Sequence, residues 1–121
     1  MTYRERQRLA DIQAAIDAIR SHLQRGDLSD GLVFDAVRIR LLEIGEAVKA
    51  VPTEMLSSQP AIPWTQIARM HDHLAHRYFD TDHAILRATV ENDLPELERA
   101  VQALTEIVPA EDQLDEDPPA S

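Results

Sequence analysis

The chain has 121 residues, no cysteine and a formal net charge of −10, which fits one domain, excludes disulfides and thiolate metal sites, and argues against indiscriminate nucleic-acid binding. The first residues, MTYRERQRLADI, are charged from the start and hold no apolar h-region, so no secretory signal is expected. No apolar run approaches the ~20 residues of a membrane span, and the expectation is a soluble, cytoplasmic protein that makes no membrane contact.

Glycine is scarce, with three residues, and valine and isoleucine recur at helical rather than alternating spacing. The class predicted is all-α. A first helix is expected from about Arg4 to Arg25, with Leu9, Ile12, Ile16, Ile19 and Leu23 forming the seam of a bundle helix and Gly26 as its stop. Ser29 or Asp30 is placed to cap a second long helix. Its seam is Val37, Leu41, Ile44, Val48 and Val51, and Pro52 ends it. Two long helices on a short loop should pack antiparallel. PTEMLSSQPAIP reads as a connector holding at most one helical turn. Pro63 suits the first position of a third helix, PWTQIARMHDHLAHRY. Asp80 or Thr81 is placed to cap a short fourth helix, DHAILRATVEN. A fifth follows over NDLPELERAVQALTEIV, with Asp93 near its cap and Pro95 in its first turn. After Pro109 the chain is acidic and bears proline. Residues 1–108 are therefore expected to form the folded domain, and residues 109–121 a disordered acidic tail.

Charge is unevenly spread. The tail holds Glu111, Asp112, Asp115, Glu116 and Asp117 and no base. Between Arg69 and Arg77 the only acid is Asp72, against two arginines and the histidines His71, His73 and His76. On a helix turning ~100° per residue, Arg69, Asp72, His73 and His76 share one stripe. Ile67, Met70, Leu74 and Tyr78 lie toward the apolar side, and His71 near its border. Three chemistries fit this stripe. It is a solvated polar face, the usual state of an amphipathic helix. Or it is a metal site using Asp72, His73 and His76, which His22 or His83 would have to complete and which the arginines oppose. Or it is a phosphodiester site, where an arginine forks onto a phosphate and an imidazole moves a proton at neutral pH. One arginine and one histidine are few groups for that last task, and a homodimer would supply a second set. Glu46, between Ile44 and Val48, reads either as a surface carboxylate or as a partner of the motif's basic groups. A buried carboxylate there would require a cation.

IARMHDHLAHRYFDTD resembles the signature of the HepT-like proteins of the HEPN superfamily, in which an arginine precedes a polar residue, then a histidine, then xYF. RLLEIGEAVKAVP is similar to the LEIIGEA pattern of that family, and Pro63-Trp64 and DLPEL also fit. The resemblance covers most of residues 4–108. It implies a HEPN-type antiparallel bundle of four to five helices that homodimerises with its motif helices facing. It further implies a metal-independent RNase, the toxin of a toxin–antitoxin pair, needing no cofactor. Its antitoxin would be an MntA-type nucleotidyltransferase that attaches AMP to the motif tyrosine. Carried onto this sequence, the motif histidine is His76 and the AMP acceptor is Tyr78, which otherwise reads as a core aromatic. The family spacing puts the arginine where this chain has His71, followed by the expected polar Asp72. Arg69, six residues before His76, or His71 itself would then fill the arginine's place. The other outcome is a catalytically degenerate helical module that binds the nucleotidyltransferase without cutting RNA.

Overall fold

The computed structural model describes residues 3–69 and 83–106, and every element in them is helical. α1 (Tyr3–Arg25) and α2 (Gly31–Ala50) are the long pair. They are joined by a tight loop in which Asp27 accepts bonds from the Ser29 hydroxyl and, at 2.8 Å, from the Ser29 amide. Asp30 is the cap of α2. Its carboxylate accepts from the amides of Leu32 at 2.9 Å and Val33 at 3.4 Å, two of the donors that every helix start leaves orphaned. The helices run antiparallel: His22 meets Arg40, at a distance of 3.4 Å, while Arg8 and Asp11 lie beside Ala47 and Ala50. The predicted seams form the core. Leu9, Ile12, Ile16 and Ile19 of α1 are buried against Val37, Leu41, Ile44 and Val48 of α2.

The connector holds one helical turn, α3 (Thr53–Leu56). α4 begins at residue 64 and is described to residue 69. The Pro63 carbonyl accepts the amide of Ile67 at 3.0 Å, so Pro63 sits at the cap position and the helix starts one residue later than predicted. The expectations that fall on residues 70–82 and on the acidic tail lie outside the described residues.

The last part of the chain departs from the predicted break between a fourth and a fifth helix. α5 (His83–Ala88) runs through a widened π-helical turn, Thr89–Asp93, directly into α6 (Leu94–Glu106). Ala88 and Leu94, which flank the turn, keep ordinary right-handed helical backbone angles. Asp93 therefore caps nothing. The physical reason is Pro95. It has no N–H to give the carbonyl of Glu91, and in a regular helix its ring would crowd that carbonyl. Widening the turn shifts the register, and Leu94 donates instead to Thr89, five residues back. Leu86 anchors α5 in the core, and Leu94, Leu97, Val101 and Leu104 bury one face of α6.

α6 packs antiparallel on α1. Glu98 takes a 2.8 Å bond from Gln13 and two contacts, at 2.5 and 2.6 Å, from the Arg20 guanidinium. Val101 and Thr105 lie along Arg6 and Leu9. Among the described residues no helix is long and apolar enough to cross a membrane.

Candidate functional site

The described start of the motif helix is rigidly based. The Trp64 indole N–H is shared between the carbonyls of Leu56, at 2.9 Å, and Gln59, at 3.0 Å. That bond ties α4 to the end of the connector. Ile62 is buried beneath it, and Trp64 and Ile67 pack against the core. The Pro63-Trp64 pair thus fixes where α4 starts and which face it turns inward. Arg69 follows Ile67 by two residues, a rotation of about 200°, and its side chain is exposed. An exposed guanidinium on a fixed helix presents its planar fork to solvent, which suits it to a phosphate.

α4 lies alongside α2. Trp64, Thr65 and Ala68 border Val48 and Lys49, and Gln66 and Ile67 border Leu41 and Ile44. The helix therefore starts at the C-terminal end of α2 and heads toward its N-terminal half. Between α2, α4 and the π turn is a cavity of about 100 Å³, lined by Leu41, Ile44, Ile67, Leu97, Gln66 and Asp93 among others. Asp93 is exposed as a residue, but partial desolvation of its carboxyl at this cavity, and then the neighbouring Glu96 charge, push that carboxyl above its ordinary range.

Of the residues that the sequence singled out, Arg69 and Glu46 are described. His71, Asp72, His73, His76 and Tyr78 lie outside the described residues. Glu46 is exposed, which removes the buried-carboxylate reading. It stands on α2 beside a groove of about 610 Å³ between α1 and α2, with Arg8 and Arg40 also on its walls. His22 is on α1, where its Nε2 accepts from Arg40 Nε. Among the described residues no three His, Asp or Glu side chains gather as metal ligands would.

Sequence reasoning missed Arg38. It is 5% exposed, a charged side chain inside the core layer of α2. Phe34, Arg38, Leu41 and Gly45 follow one another at helical spacing, and all four are buried. An arginine at apolar spacing was the available signal. Spacing alone does not show that a neighbouring element covers that face.

Two long antiparallel helices, a short connector, a Pro-Trp-anchored helix and a terminal rod returning along α1 define an all-α, HEPN-type bundle. The family model described as ribonuclease HepT-like matches residues 12–104. A protein of Thermococcus cleftensis named "Probable ribonuclease HepT" is 38% identical over 100 residues, 79% of this chain and 91% of that protein. A "Putative RNase" of Methanocaldococcus jannaschii is 32% identical over 100 residues, 79% of this chain and 86% of that one. Another "Putative RNase", from Caldanaerobacter subterraneus subsp. tengcongensis, is 42% identical over 67 residues, 54% of this chain and 60% of its own length. No solved structure matches the chain. The chain belongs to the HepT-like ribonuclease family.

Proposed function

We propose that the chain is a metal-independent RNase toxin that works as a homodimer in the cytoplasm. In this reading an AMP-transferring, MntA-type nucleotidyltransferase antitoxin neutralises it. The observation that carries the reading is the family match, which spans residues 12–104 and so includes the whole Arg69–Tyr78 stretch. The exposed Arg69, on a helix fixed by Trp64, supports it.

The chemistry assigned is transesterification. An RNA 2′-oxygen attacks the adjacent phosphorus, and the bond from phosphorus to the 5′-oxygen breaks. The products are a 2′,3′-cyclic phosphate and a free 5′-hydroxyl. His76 takes the 2′-hydroxyl proton or delivers one to the leaving oxygen, and its copy in the second protomer serves the other step. Arg69, or His71 in its place, holds the scissile phosphate and the charge that builds on it. Asp72 orients these cations, and His73 borders them. Tyr78 is the AMP acceptor. A bulky anion there would keep RNA out.

In the test, purified protein cleaves RNA in EDTA, and His76→Ala lowers the rate by about 10²-fold or more. Equal cleavage by both preparations removes His76 from the mechanism. Arg69→Ala and His71→Ala, compared side by side, decide which residue holds the phosphate. An intact mass raised by one AMP after incubation with the nucleotidyltransferase, and absent in Tyr78→Phe, tests the acceptor.

His71 in the arginine's place favours a second reading. A neutral imidazole lacks the permanent charge and fork of guanidinium, and a chain without that anchor would bind the nucleotidyltransferase without cutting RNA. A stable complex together with no cleavage of any RNA by the free protein would select this reading.

A further inference from the structure

We infer that the cavity between α2, α4 and the π turn reads one RNA base, a cytosine, beside the phosphate that Arg69 holds. The inference deepens the RNase reading above and rests on it. The cavity has an apolar floor and a polar mouth. Leu41, Ile44, Leu94 and Leu97 are each 5% exposed or less. Gln66 and Asp93 are exposed and complete the lining where it meets solvent. A base needs this layout: a dry slot for its ring and fixed polar groups for its edge. The volume of about 100 Å³ equals that of about three waters at ~30 Å³ each. It admits one ring with its substituents, not the two rings of a purine.

Position ties the cavity to Arg69. Gln66 lies three residues before Arg69 on α4, so the two are neighbours on one face, about 5–6 Å apart between Cβ atoms. In a nucleotide one ribose separates phosphate from base, a span of the same order. A phosphate on the Arg69 fork can therefore set its own base at the mouth of the cavity, since single-stranded RNA splays bases out of the stack at little cost.

Asp93 chooses between the two pyrimidines. Cytosine carries an amino group where uracil carries a carbonyl oxygen. An ionised carboxylate only accepts, so it takes an N–H from the cytosine amino group and repels the uracil oxygen. The Gln66 amide can donate to the ring nitrogen beside that amino group. Partial desolvation and the Glu96 charge both work against the Asp93 carboxylate, and a bound donor offsets them. The backbone presents this carboxylate firmly, because Asp93 ends the π turn and Leu94, next to it, is buried in the core.

The test has two readouts on the full chain. Fluorescence anisotropy compares binding of single-stranded oligocytidylate and oligouridylate, and a cleavage assay compares two RNAs with a single cytosine or a single uracil in an adenine background. The wild type should favour cytosine about tenfold in both. Asp93→Asn, whose amide can give an N–H to the uracil oxygen, should bring the ratio to about one without loss of folding. Glu91→Gln removes one charge from the same turn outside the cavity and should keep the ratio. Cleavage without base preference, or with preference for uracil or a purine, overturns the cytosine pocket and leaves the RNase reading standing. A cytosine preference that Asp93→Asn leaves unchanged overturns the assignment to this cavity. A cytosine preference in binding that Asp93→Asn abolishes, with no cleavage of either RNA, supports the pocket and overturns the RNase reading. Binding of neither oligomer at micromolar protein overturns both.

Discussion

Two carboxylates at the ends of one short stretch, Asp93 and Glu98, respond to pH in opposite directions. The Glu98 pKa is held below its ordinary value, first by the Arg20 hydrogen bond and next by that of Gln13. A carboxylate depressed in the fold contributes stability that is complete above its unfolded pKa and is lost as the pH falls through the folded one. Asp93 is raised instead, by burial and by Glu96. The folded state then holds its proton more tightly than the unfolded chain does, so ionised Asp93 costs stability at neutral pH and the cost disappears in acid. Urea unfolding separates the two. Glu98→Gln should lose about 1 kcal/mol at pH 7, since it gives up a half-exposed ion pair and keeps a neutral hydrogen bond. Asp93→Asn should gain stability at pH 7. Both differences from the wild type should shrink as the pH is lowered through the carboxylate range. A Glu98→Gln deficit that persists undiminished in acid would mean that the pair does not act through its charge.

At the scale of elements, the caps and seams decide what could be read in advance. Asp30 before an apolar stripe announces the start of α2, because an acceptor is needed for amides that have no carbonyl a turn earlier. Asp30→Ala should accordingly cost about 1 kcal/mol of unfolding free energy by denaturant titration. An unchanged midpoint would show that Ser29 or water replaces the cap at no cost. The seams of α1, α2 and α6 were legible because each repeats a pattern over several turns. The join of α5 to α6 was not. Asp93 followed by Pro95 carries the same local chemistry as a helix start; Pro95 accounts for the widening of the turn, and the burial of Leu86 and Leu94 in one core for the chain running on through it. Arg38 was hidden for a related reason: local pattern shows which face a residue occupies, but not whether a neighbouring element covers that face. At the site, the Pro63-Trp64 base and the outward turn of Arg69 follow from spacing. The bond of the Trp64 indole to two connector carbonyls does not, because it joins residues whose approach depends on the path of the connector.

At the scale of the molecule, the charge distribution poses the last problem, since an acidic chain is assigned an anionic substrate. Five of its carboxylates, half of the net charge, lie in residues 110–121, beyond the family-matched residues 12–104. The bundle itself is less hostile to RNA than the whole chain. A tethered acidic segment competes with RNA for a basic site through unscreened attraction, and its reach shrinks from about 30 Å at 0.01 M salt to about 10 Å at 0.1 M. Deleting residues 110–121 should therefore tighten single-stranded RNA binding several-fold at low salt, by fluorescence anisotropy, and the gain should vanish by about 0.2 M salt. The log–log salt slope of the truncated form should also be the steeper, because each phosphate contact then releases its counterions with no competing carboxylate. Arg69→Ala in the truncated background should flatten that slope, whereas Glu106→Ala, on the exposed face at the end of α6, should not. Equal affinity of the full and truncated chains at low salt would separate the acidic segment from RNA access.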